Sequence, residues 1–157
     1  MLHKGTIFLT FCLSMPAWAG ADDPPVIAPY TITDGRSIDD PLAGAEGVWQ
    51  TGRLIYFDRK LTGCSGCHGS PGGPGAEIVA GNEGAPALSG IGSRMSPGEI
   101  RLWIAAPVAI DPETAMPAFY LAGQRRDGEG GAVNGPWLSA QQIEHLVAYL
   151  SRQTDTQ

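Results

Sequence analysis

Basic residues are scarce in this chain: ten lysines and arginines stand against sixteen aspartates and glutamates, for a formal net charge of −6. That balance argues against nucleic acid or an anionic membrane surface as a partner, since both need clustered positive charge. A long apolar run is also missing. The greasiest stretch, Thr6 to Met15, is shorter than the roughly 20 residues that a bilayer span requires, and no later segment comes closer. Sustained polar–apolar alternation is absent, which removes the usual sign of half-buried strands. Cysteine and histidine are rare, with three of each, so any chemistry that needs a cluster of them has little to draw on.

What is present begins with a leader. His3 and Lys4, the apolar run and then Ala17-Trp18-Ala19 follow the charged, greasy and small-residue order of a cleavable signal peptide, residues 1–19, and predict export. Lipidation at Cys12 is disfavoured because Phe11 is bulky where such sites want a small residue. The remaining length suits one domain. Residues 20–46 hold Asp22, Asp23, Asp34, Asp39, Asp40 and Glu46 against Arg36 alone, together with Pro24, Pro25, Pro29 and Pro41. This composition resists regular structure and predicts an extended acidic arm, either a solvated tail or a segment lying along a partner. The domain proper is expected over 47–157.

Three helices are predicted there. Val48 to Phe57 places Trp49, Gly52 and Tyr56 on one stripe flanked by Val48 and Ile55, and a mid-helix glycine implies that a second helix crosses at that point. Ser96-Pro97-Gly98-Glu99 is a capping box with proline at the first helical position, Met95 and Ile100 are placed to staple it, and Pro107 ends the run whose buried face is Ile100, Trp103 and Ile104. Ser139 and Gln142 repeat the box, with Leu138 and Ile143 as the staple, before Ile143, Leu146, Val147 and Leu150 at helical spacing. Between them, Gly63 to Gly92 is mostly Gly, Pro, Ala and Ser, which predicts loop. The reading is all-α with long loops.

Cys64-Ser65-Gly66-Cys67-His68 is the spacing of covalent haem attachment. Two sulfurs reach the two vinyl groups of one porphyrin and the adjacent histidine ligates the iron. A zinc site needs more ligands than the sequence supplies nearby, and a thioredoxin-like pair needs a βαβ setting that this Gly-rich stretch lacks. One haem c is the expected cofactor, and it gives the loop an apolar surface to pack on. For the sixth ligand, Met95 is taken by the staple. His145 lies about 160° from the core stripe of its helix and reads as a solvated histidine. Met116, held extended by Pro117 and followed by Phe119 and Tyr120, fits best. The Pro86 carbonyl is the expected acceptor for the His68 ring. Arg125-Arg126 reads either as a docking edge or as two solvated arginines.

The ordered blocks Gly52-Arg53-x-x-Tyr56-Phe57-Asp58, Gly63-Cys64-Ser65-Gly66-Cys67-His68, Pro86-x-Leu88-x-Gly90-Ile91-Gly92-x-Arg94, Ile100-Arg101, Pro112-Glu113-Thr114-x-Met116-Pro117-Ala118-Phe119-Tyr120, Leu138-Ser139-Ala140-Gln141-Gln142-Ile143-Glu144 and Val147-Ala148-Tyr149-Leu150 resemble the SoxX family. Ala85, where that family usually has glycine, and the stretch 124–135 depart from the pattern. The resemblance implies a class I cytochrome c fold and the monohaem subunit of a periplasmic SoxAX complex. In such a complex a SoxA-like subunit does the chemistry that joins thiosulfate to a cysteine of a SoxYZ-type carrier. This chain would contribute no catalytic residue of its own and would pass electrons through Cys64, Cys67, His68 and Met116 to a small cytochrome c. The competing reading is a free-standing electron carrier.

Overall fold

A computed structural model describes residues 27–73, 76–79, 81–82, 84–121, 125–126, 132–133 and 135–155. The expected leader, Cys12 and the first part of the arm lie outside the described residues.

The frame is three helices. α1 spans Trp49–Phe57, α4 Pro97–Ala105 and α5 Ala140–Leu150, with the short α2, Cys64–His68, and α3, Ile91–Arg94, between the first two. Both expected capping boxes are formed. The Ser96 hydroxyl accepts from Glu99 N while the Glu99 carboxylate accepts from Ser96 N, and Ser139 and Gln142 do the same at α5. The Ser96 amide and hydroxyl hold the Glu99 carboxyl below its ordinary range. α4 ends at Ala105 and Pro107 opens a 3-10 turn.

α1 and α5 make the largest element contact, and they cross where the sequence placed the glycine. A Cβ on Gly52 would lie 1.8 Å from the His145 carbonyl oxygen and 2.9 Å from the Tyr149 Cβ. Gly52, Ile55 and Tyr56 are buried. Trp49, expected on the same stripe, is 38% exposed; its ring is covered instead by the Arg152 guanidinium, 5.2 Å from the ring centroid. The core joins Ile100, Leu102 and Ile104 of α4 to Ile143, Leu146, Val147 and Leu150 of α5.

Two features differ from the sequence expectation. The Gly-rich stretch contains α2 and an antiparallel hairpin, β1 Ser70–Gly73 with β2 Ala76–Val79, Ser70 opposite Val79. A second, two-residue ladder pairs β3 Arg125–Arg126 with β4 Ala132–Val133. Ladders of two to four residues are too short to leave a period-two pattern in the sequence. The arm from residue 27 onward is irregular but not a free tail: Ile38 and Leu42 enter the core, with Ile27, Tyr30 and Ile32 packed against it. Packing therefore begins N-terminal to residue 47. Among the described residues no helix is long and apolar enough to cross a membrane.

Candidate functional site

The site is built outward from α2. Gly63, at φ 66°, turns the chain into this helix, a left-handed conformation that suits glycine. The loop before it is tied to α1, with Thr62 Oγ1 donating to Ile55 O at 2.7 Å. Beyond α2, the buried Tyr56 hydroxyl donates to Gly69 O at 2.9 Å. Burial holds that phenol far above its ordinary range, so it remains a neutral donor. Asn82 N donates to Cys67 O at 2.8 Å, and a Cβ on Gly81 would lie 1.9 Å from the same oxygen. The attachment helix is thus held from both sides.

His68 Nδ1 donates to Pro86 O at 2.8 Å. A carbonyl oxygen has no proton to give, so the proton must sit on Nδ1. The Nε2 lone pair is left for a metal, the arrangement in which an outer partner fixes tautomer and ring orientation. The expected acceptor is therefore present. Cys64 is half-buried and Cys67 exposed, and neither is in a disulfide. Burial pushes the Cys64 thiol up, which disfavours thiolate chemistry at that position.

His68, Cys64 and Cys67 open onto a cavity of about 780 Å³, within the range of cofactor sites. Tyr56 of α1 and Leu88 of the loop before α3 line it, with Ile100, Trp103 and Ile104 from α4 and Leu146 and Leu150 from α5. Met116 and Phe119 border the cavity too, on the segment after the 3-10 turn. That segment is anchored to the end of α4 by Phe119 N to Ile104 O at 3.1 Å and Tyr120 N to Ala105 O at 3.2 Å.

Of the three candidates for a sixth ligand, the structure brings Met116 and Met95 to the cavity and leaves His145 out of its lining. His145 is half-buried and not merely solvated: its Nδ1 accepts from Val48 N at 2.8 Å at the start of α1. Trp103, read as part of a buried face, borders the cavity, as does Arg94, whose guanidinium donates to Ser89 O and Ala87 O. Among the described residues no group of three or more His, Cys, Asp and Glu side chains is placed to hold a metal ion. The residues present fit a haem: two adjacent thiols, one pre-oriented imidazole and a large apolar chamber.

The family model for cytochrome c matches residues 50–154. No curated protein matches the sequence. A chain in the crystal structure of SoxXA from P. pantotrophus matches with a TM-score of 0.66 and 31% identity, over 80% of this chain and 95% of that one. A likeness spread over nearly the whole of that chain, laid on a histidine already poised for iron, leaves one reading of the fold: the chain belongs to the cytochrome c family, as a SoxX-like electron-transfer cytochrome with covalently bound haem c.

Proposed function

We propose that this protein is the electron-accepting subunit of a SoxAX-type complex in the periplasm, reached through a cleavable leader over residues 1–19. The arm, 20–46, and the cytochrome domain, 47–157, form the mature chain. Cys64 and Cys67 would form the two thioethers to the haem, and His68 and Met116 would ligate its iron. The observation that carries the reading is the 31% identity to the SoxXA chain, sustained over 95% of its length.

The haem supplies one-electron storage. The rest is done by this chain. Cys64 and Cys67 would hold the group in place, the Pro86 carbonyl fixes the imidazole, and the apolar walls would pack against the porphyrin. A thioether ligand would raise the potential and favour the reduced state. With His68 and Met116 both committed to the iron, substrate would find no open site there, so the sulfur chemistry would belong to a SoxA-like partner acting on a SoxYZ-type carrier. Electrons then leave to a small cytochrome c.

The test is purification of the tagged protein from its native cells. A second c-type cytochrome in stoichiometric amount, with haem reduced on addition of thiosulfate and the carrier, supports the reading. A lone protein whose haem stays oxidised under those conditions would instead be a free-standing electron carrier.

A further inference from the structure

The arm makes two sets of contacts far apart in the fold. Near residue 40 it is fastened to the helices. The Arg101 guanidinium donates to Ile38 O at 2.5 Å, Ile38 N donates to Gly98 O at 3.1 Å, and Leu42 N donates to Glu144 Oε1 at 2.9 Å. A turn then reverses the chain, with Thr33 N donating to Ser37 O at 2.8 Å and Asp34 and Gly35 both at positive φ. Beyond that turn the arm reaches Tyr120. Ala28 N donates to the Tyr120 hydroxyl at 2.9 Å, and the Tyr30 and Tyr120 rings lie 6.1 Å apart.

Tyr120 is fully buried and stands four residues after Met116, in the segment whose backbone is pinned to α4. Resting on the assignment of Met116 as the distal ligand, we propose that residues 27–42 are a strap holding the Met116 segment over the haem, with Tyr120 as the positioning residue. The amide of Ala28 lies 92 positions along the chain from its acceptor. A contact across that distance constrains the segment from a direction that α4 does not.

A weakened strap shifts the balance between methionine and any ligand that competes for the iron, and the apparent affinity for the competitor rises by the same factor. The experiment titrates the ferric holoprotein with imidazole and follows the near-infrared sulfur-to-iron band. Tyr120→Phe removes the acceptor of the Ala28 amide, and Tyr30→Ala removes the ring that packs against Tyr120. Each should tighten imidazole binding about threefold to tenfold, the range expected for one net hydrogen bond or ring contact. Arg152→Ala, which touches Trp49 on α1, should leave it unchanged. Equal affinities in the wild type, Tyr120→Phe and Tyr30→Ala would overturn the strap, as would an equal gain in Arg152→Ala. A wild-type protein with no sulfur-to-iron band would overturn the Met116 assignment first, and the strap with it.

Discussion

At His68 a single proton position does much of the work. With Nδ1 committed to the Pro86 oxygen at 2.8 Å, the ring presents one lone pair in one direction and no energy is needed to select it when the iron binds. Met116 has no comparable fixing bond on its side chain; its place depends on neighbours. Met116 N donates to Thr114 Oγ1 at 3.2 Å, and Pro117 restrains the backbone on the other side. Met116→Ala should therefore leave haem attached, abolish the near-infrared sulfur-to-iron band and lower the reduction potential, since the soft ligand that favours ferrous iron is gone. Optical spectra and a redox titration of the variant check this. An unchanged band would transfer the role to Met95, which borders the same cavity.

At the scale of elements, local signals were readable and distant ones were not. Each capping box lies within four consecutive residues, so Ser96 and Ser139 announce their helices from sequence. Gly52 announced its crossing for the same reason, because a mid-helix glycine needs a packing cause. Gly52→Ala should cost at least about 1–3 kcal/mol of stability, read as a lowered melting temperature of the holoprotein, since the new methyl meets His145 backbone rather than a side chain that can swing away. His145 was misplaced because a helical wheel reports only one neighbour, and its partner is the start of α1. Arg101 and Glu144 stand inside the recognised blocks, yet nothing local shows that they meet. They form a buried bidentate pair, Nε to Oε1 and Nη2 to Oε2 both at 2.9 Å, while the same groups bind the arm at Ile38 and Leu42. Three elements share one charge pair. Glu144→Gln leaves the guanidinium buried without its counter-charge and should cost about 3–5 kcal/mol in denaturant unfolding, whereas replacing both partners by apolar residues should cost less.

For the whole molecule, the haem is part of the core. The sequence hinted at this through the Gly- and Pro-rich stretch 63–92, which has too few apolar side chains to bury one another. The structure gives the consequence a size. Without the haem, the apolar walls of a cavity of about 780 Å³ face water, so the burial they would gain against the porphyrin contributes nothing to stability. A domain is stable by only ~5–15 kcal/mol, so losing that burial is a large fraction of its margin. The helices cannot make up the difference alone, because α1, α4 and α5 turn Tyr56, Ile100, Ile104, Leu146 and Leu150 toward the haem chamber as well as toward one another. A chain carrying Cys64→Ala and Cys67→Ala, produced without attached haem, should therefore lose its cooperative thermal transition and bind an apolar dye, while its far-ultraviolet dichroism keeps part of the helical signal. A sharp melt in the haem-free chain, at a temperature close to that of the holoprotein, would show that the helices close the chamber unaided.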